Sequence, residues 1–473
     1  MTSLWTATEA ATATGGSVAA DWHVNGVSID SRTLRVGELF IALQGPNYDG
    51  HDFVATALAR GATAAVVARI PDGVSLKQLL IVQNTHTALE ALAHHARLRS
   101  SAQVVAITGS VGKTSTKEML RRVLAGQGHT HASEGNLNNH LGVPLTLARM
   151  PAATAFVVLE MGMNHAGELA PLSRLAQPDV AVITAVEAVH LESFASTLAI
   201  ADAKAEIFTG MNRNGIAILN RESPYFDHLA RHALAAGITC IYGFGHHREA
   251  EFRLCNYALV ENGTIVRANV LEQPAAYMLS TYGRHWALNS LAVLATVHAV
   301  GGRISQVANT LTTVHPLPGR GVRHKLILDC CGSSIEVIDE SYNANPVAVQ
   351  AAIEVLGAAH PGPGGRRIAV LGDMLELGTG AAALHADLAA SILDHRIDLV
   401  FTAGLLMASL HEALPPERRG SHAVSTAVLA AQVVAAIRSG DVVLVKGSAG
   451  SQTGVILAAL QRNSLTQPGT SGV

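Results

Sequence analysis

The chain has 473 residues, a length that allows roughly three domains at about 150 residues each. Apolar residues make up 49% of it, enough to fill sizeable cores and too much for wholesale disorder. Its 33 basic and 36 acidic residues leave a formal charge of −3 and aromatics are only 4%, which excludes the basic excess and the stacking surface of a dedicated nucleic-acid binder.

The opening residues, MTSLWTATEAATATGG, lack the basic and apolar regions of a signal peptide. No apolar run reaches the length of a membrane span. Short β-like runs follow, VNGVSI and ELFIAL, with a turn at 35–37 between them. An alanine-rich helix is expected at 52–60, then a strand, AAVVA. A helix rich in alanine and histidine is expected to end near Ser101.

From there the pattern changes. AQVVAIT reads as a buried strand, followed by a glycine loop and the helix TSTKEMLRRVLAG. The strands AFVVLE, VAVITAV and GIAILN alternate with helical stretches such as ELAPLSRLA, which predicts a parallel sheet covered by helices. The segment 251–270 reads as a β-hairpin inserted in this region. HPLPGRG at 315–321 has linker composition, and PGPGG at 361–365 reads as a loop. Between and beyond them the alternation resumes with SIEVIDE, RIAVLGD, DLVFTAG and DVVLVKG, and the last dozen residues are polar and expected to fray. The fold class predicted is α/β in three domains: a small α/β domain at 1–90, a central P-loop-type parallel-sheet domain at 91–315 and a Rossmann-like domain at 316–473. The four cysteines, Cys240, Cys255, Cys330 and Cys331, form no CxxC pair and are expected to be buried free thiols of a soluble, cytoplasmic protein. The 23 histidines are scattered and read as surface or core residues.

The most specific local signal is VVAITGSVGKTS at 104–115, a strand running through a glycine turn into a helix. Gly109 and Gly112 let backbone N–H groups turn inward toward phosphate oxygens, the helix start adds its positive dipole end, and Ser110, Val111 and Ser115 are expected to bind ATP with the rest of the loop. Lys113 can neutralise β/γ-phosphate charge and the Thr114 hydroxyl can hold Mg²⁺. Full Walker A spacing asks for glycine where Ile107 stands, so the loop is a shortened variant. Such a loop serves ligases, kinases, transport ATPases and switch proteins alike.

TGSVGKTST at 108–116 resembles the ATP loop of the Mur ligases, the cytoplasmic enzymes that build the peptidoglycan stem peptide. GNLNNHLGVP at 135–144 resembles the family's substrate loop, EMGMN at 160–164 and HLE at 190–192 its metal-binding segments, and AKAEIF at 203–208 the segment of its modified lysine. DESYNANP at 339–346 and VLGDMLELG at 370–378 resemble its C-terminal signatures, and DSR at 30–32 and DGHDF at 49–53 fit as well. No Asp-Asn-Pro-Arg sequence of the diaminopimelate-adding members is present.

The resemblance implies an ATP-dependent amide ligase that joins D-alanyl-D-alanine to UDP-N-acetylmuramoyl-tripeptide through an acyl phosphate, releasing ADP and phosphate. Other readings are a related amide ligase with a different amine, or a P-loop ATPase acting as a switch. It implies the UDP-sugar in the first domain, ATP in the second and the dipeptide in the third; a monomer is expected. Thr114, Glu160, His190 and Lys204 would serve two Mg²⁺ sites, with Lys204 carbamylated into an anionic oxygen ligand. Lys113, Lys204 and His190 are its implied catalytic residues. Read alone, Glu160 is a solvated strand-end carboxylate, His190 a loop histidine and Lys204 a helix-surface lysine. Asn289 is expected at the adenine edge, or else near a helix N-terminus, and Arg320 at the γ-phosphate, or else in a plain linker. Tyr342, Asn343 and Asn345 would face nucleotide or dipeptide, although Asn-Ala-Asn-Pro is also a turn and helix cap. Asn136, Asn138 and Asn139 would meet sugar or peptide, or only form a turn, and Ser31 and Arg32 would meet the uridine diphosphate. Ala449 departs from the family, which usually carries arginine after Lys-Gly-Ser, so the segment 446–450 carries little weight as a dipeptide site.

Overall fold

The computed structural model of the chain describes residues 3–189 and 191–465. His190 and most of the polar tail lie outside the described residues. Three larger sheets dominate, with helices between and around them. No helix among the described residues is long and apolar enough to cross a membrane.

The first sheet runs Ser17–Val18, Leu79–Ile81, Ala64–Val67, Glu38–Ile41, Gly26–Ser28, parallel apart from its first pair. Near 52–60 the chain forms a 3₁₀ turn, Gly50–Phe53, before the α-helix Val54–Ala59, because the Asp49 side chain accepts the His51 N–H and opens the tight turn first. The next helix, Thr85–Leu98, starts where Asn84 accepts the N–H groups of His86 and Thr87, and it ends before Ser101.

The second sheet has nine strands. Six are parallel to their neighbours: Thr130–Ala132, Phe156–Glu160, Gln103–Thr108, Val180–Ile183, Ile216–Asn220 and Cys240–Gly245. Val104 to Thr108 are all buried, as a central parallel strand covered on both faces requires. The expected hairpin is Phe252–Val260 with Gly263–Val270, and a third antiparallel strand, Gln273–Leu279, extends it. That strand, QPAAYML, lies at the sheet edge, and its Pro274 masks the strand pattern in sequence.

The third sheet runs Val322–Ile327, Ser334–Glu340, Val442–Lys446, Arg367–Gly372, Leu399–Ala403, Arg419–Ala423, parallel except for the first pair. Its four inner strands are those expected, whereas both edge strands, VRHKLI and RGSHA, are too polar to read as strands. An edge strand pairs on one side and tolerates that composition.

The cysteines are free but not buried: Cys240 is half-buried and Cys255, Cys330 and Cys331 are exposed. They sit at a strand start, in the added hairpin and in the turn between Ile327 and Ser334, where no core element covers them.

The N-terminal elements share one core with the second sheet: Trp5, Leu89 and Leu92 pack in the same cluster as Val104, Leu147 and Leu159. Trp5 is fully buried, its indole N–H donates to the carbonyl of Ala148 at 2.8 Å, and the Arg99 guanidinium covers its ring at 3.9 Å. Trp5→Ala is expected to cost about 3–5 kcal/mol. Urea denaturation would show this as a lower midpoint, and an unchanged midpoint would mean that the N-terminal strap adds nothing to the shared core.

Candidate functional site

The strands Gln103–Thr108, Phe156–Glu160 and Val180–Ile183 run in parallel, so their carboxyl ends open at one edge of the sheet, where α/β proteins gather ligands. The phosphate loop leaves the first of them and enters the helix Lys113–Ala125. Its glycines answer to tertiary contacts. A Cβ on Gly109, whose φ is +149°, would lie 2.0 Å from Thr184 Oγ1, and one on Gly112, at φ +84°, would lie 2.8 Å from Asn289 Oδ1. The Ser110 N–H donates to Ala185 O at 2.9 Å, and its hydroxyl donates to Glu187 O and accepts the Glu187 N–H. The loop is therefore seated on the segment after the strand Val180–Ile183.

Lys113 folds back so that Nζ donates to Gly109 O at 2.6 Å. Burial lowers its pKa; Glu160 works against this and Arg320 adds to it. Thr114 is buried on the first helical turn and lines the same cavity as Glu160. Glu160 is 3% exposed, so it is no solvated loop residue. Its Oε1 accepts from Asn138 Nδ2 at 2.9 Å, while Oε2 is buried without a hydrogen-bond partner among the described residues. A buried carboxylate oxygen that no donor hydrogen-bonds, 4.0 Å from the Lys117 ammonium and in the same cavity as the phosphate-loop threonine, suits a hard divalent cation.

Lys204 corrects its reading as a surface lysine: it is 2% exposed near the end of the helix Thr197–Ala205. Burial drives its pKa well below the lysine range, and the charge of Lys113 pushes the same way. The apolar run Ile200, Ala201, Ala203 and Ala205 draws this helix into the core and takes the lysine with it.

Around the loop opens a cavity of about 810 Å³, within the range of small-molecule sites. It brings together Ser110 to Ser115, Asn138, Glu160 and Asn289 from the second sheet's layer with Arg320, Tyr342, Asn343, Asn345 and Lys446 from the third's. Asn289 is buried inside the helix Arg284–Ala299, not near its N-terminus. Arg320 stacks on Tyr342 with its guanidinium carbon 3.9 Å from the ring centroid. Asn345 both lines the cavity and caps the helix Pro346–Gly357, accepting the Ala348 N–H at 2.9 Å.

A second cavity, about 940 Å³, lies at the first sheet. Ser31 and Arg32 line it together with Arg35, Tyr48 and Arg149. The Arg32 side chain is exposed and paired with Asp30 at 2.7 Å. Glu134 and Leu137 face this cavity whereas Asn138 faces the first, so one short loop borders both. Of its other asparagines, Asn139 holds the turn, accepting the N–H groups of Leu141 and Gly142, and Asn136 is exposed. Neither lines either of these two cavities.

Three cavity-side features escaped the sequence reading. Lys117 is fully buried, with Nζ 3.1 Å from Glu118 and 4.0 Å from Glu160. Its spacing of four from Lys113, which puts both on one helix face, was the available signal. Lys446, the last residue of the strand Val442–Lys446, lines the cavity and reaches Glu340 Oε2 at 3.2 Å and Asn343 O at 3.0 Å, whereas Ala449 does not line it. His285 lines the cavity with Nδ1 buried and unpartnered, and burial lowers its pKa.

Comparison with known proteins bears on this architecture. Three family models match in order: the Mur ligase family catalytic domain over 23–99, the Mur ligase middle domain over 107–297 and the Mur ligase glutamate ligase domain over 326–449. The UDP-N-acetylmuramoyl-tripeptide–D-alanyl-D-alanine ligase of Escherichia coli (strain K12) is 35% identical, covering 94% of this chain and 95% of its own. The ligase of the same name from Rickettsia prowazekii is 33% identical over 94% and 97%. A crystal structure of MurF from Acinetobacter baumannii superposes with a TM-score of 0.84 at 27% identity, over 97% of this chain and 99% of that one. MurF ligase from Thermotoga maritima, solved in complex with ADP, gives 0.78 at 26%, over 93% and 98%. A phosphate loop at the open edge of a parallel sheet, walled by a second α/β layer, and matches along nearly the whole chain lead to one conclusion: the chain belongs to the Mur ligase family.

Proposed function

We propose that the chain is an ATP-dependent ligase that joins D-alanyl-D-alanine to the free carboxylate of UDP-N-acetylmuramoyl-tripeptide in the cytoplasm, releasing ADP and phosphate. The observation that carries this reading is the pair of cavities bordered by one loop, 134–138. A nucleotide-sugar in the second cavity can extend its peptide past Asn138 toward a γ-phosphate on the loop of the first.

A carboxylate is a poor electrophile. Its oxygen attacks the γ-phosphorus, ADP leaves, and the dipeptide amine then displaces phosphate from the acyl phosphate. Backbone N–H groups of the loop from Val111 to Ser115 bind the phosphates, the Ser110 N–H being committed to Ala185 O, and Lys113 holds their negative charge. Arg320 and Lys446 bring further cations from the third sheet's layer to the same space. Asn289, beside Gly112, is assigned to the adenine, and Tyr342, Asn343 and Asn345, which line the cavity, are assigned to nucleotide or dipeptide. Ser31 and Arg32, with Arg149 nearby, are assigned to the uridine diphosphate. Thr114 and Glu160 would hold Mg²⁺, which when bound neutralises phosphate charge. His190 is assigned to a second metal site by its motif alone.

Lys204 is assigned as a carbamate. The depressed pKa favours its neutral amine, the form that adds to CO₂, and the product is an anion where an ammonium would face Lys113. The UDP-sugar is assigned to 1–90, ATP to 91–315 and the dipeptide to 316–473.

Phosphate release with ATP, Mg²⁺, UDP-N-acetylmuramoyl-tripeptide and D-alanyl-D-alanine, each omitted in turn, tests the reaction. Release should need both organic substrates and yield the pentapeptide mass; ATP turnover without amide product would show a switch ATPase, and ligation of another amine a different specificity. Lys113→Ala should lower turnover by on the order of 10²-fold or more, and near-normal turnover would sink the loop assignment. Protein equilibrated with ¹³C-bicarbonate should show a carbamate carbon resonance that Lys204→Arg abolishes; the same resonance in the variant would place the carbamate elsewhere.

A further inference from the structure

Asp202, His228 and His232 form the group of three metal-ligating side chains found among the described residues. It lies outside both cavities. His228 and His232 are four residues apart on the helix Phe226–Ala235, so both rings leave one face of it. Asp202 comes from the neighbouring helix Thr197–Ala205. Its Oδ1 lies 2.6 Å from His228 Nε2 and 3.2 Å from His232 Nε2. The two rings stand edge to face, 4.7 Å between centroids, and the ligand atoms all lie within 4.8 Å of one another. No lysine or arginine pairs with Asp202 among the described residues. All three side chains remain partly open to solvent, so an ion can reach them.

We propose that Asp202, His228 and His232 form a surface site for a borderline divalent transition metal such as Zn²⁺, separate from the catalytic cavity. Two imidazole nitrogens and one carboxylate suit Zn²⁺, Co²⁺ or Ni²⁺, whereas Mg²⁺ prefers an all-oxygen set. Three protein ligands leave a fourth position for water. A hydrogen-bonded carboxylate needs only one imidazole; here two converge on the same oxygen from successive helical turns. The ion ties the helix Phe226–Ala235 to the outer side of the helix that carries the buried Lys204. Asp202 and Lys204 are two residues apart, roughly 200° around the helix, so one side chain faces solvent and the other the core. Metal binding to the folded form alone raises its unfolding temperature. The inference stands independently of the ligase reading.

The test titrates EDTA-treated, dialysed full-length protein with Zn²⁺ alone, by calorimetry and by thermal unfolding. One Zn²⁺ should bind with a rise in unfolding temperature, and His232→Gln should weaken that event by about tenfold or more. His228→Gln should do the same, and each variant's circular dichroism in EDTA should match the parent. Glu160→Gln should keep the event, since that carboxylate belongs to the catalytic cavity. Co²⁺ in place of Zn²⁺ should give a visible absorption band that His232→Gln removes. Zn²⁺ binding unchanged in both histidine variants, or lost in Glu160→Gln and kept in His232→Gln, would overturn the proposal.

Discussion

Lys113 and Lys117 share one face of the phosphate-loop helix, and Lys204 lies close enough to Lys113 to feel its charge. Lys117 and Lys204 are buried almost completely. Desolvating an ammonium is costly unless an anion compensates it. Protein carboxylates do part of this, since Glu118 and Glu160 flank Lys117. Among the described residues, Lys113 has a backbone carbonyl, that of Gly109, as its hydrogen-bond partner. A pocket built this way is incomplete without a polyanion, which is the physical content of a nucleotide site.

That constraint shapes the surrounding structure. The loop can approach Thr184 and Asn289 only because two glycines lack the Cβ atoms that would strike them. Those contacts lock the loop to the segment after one strand and to the helix Arg284–Ala299, so the backbone donors are set before any ligand arrives. Glu160 is positioned at the end of the adjacent strand by the same parallel register.

The third sheet's layer completes the cavity through contacts that cross from one layer to the other. Tyr257, in the hairpin of the second sheet, donates to Glu354 on the helix Pro346–Gly357, and burial with that carboxylate raises its pKa to about 12. Arg323 covers the ring of Tyr282 at 3.7 Å. Both contacts join the two layers whose residues, Arg320, Tyr342 and Lys446 among them, line the cavity around the phosphate loop.

Much of this was legible along the chain. The strand–loop–helix order at 104–125, the alternation of later strands and helices, and the cap at Asn345 all follow from rules that act over a few residues: side-chain period, glycine φ and local capping. The family resemblance rested on the order of such short segments. Edge strands such as Val322–Ile327 and Arg419–Ala423 were not legible, because a strand paired on one side needs no apolar alternation. Nor were the burial of Lys204, the meeting of Lys117 with Glu160, the entry of Lys446 into the cavity, or the convergence of two histidines on Asp202. The sequence by itself determined which chemical groups the chain carries and the local structure that presents them. Only the tertiary structure decided which of them are buried and which meet, because burial and proximity depend on packing between segments tens to hundreds of residues apart.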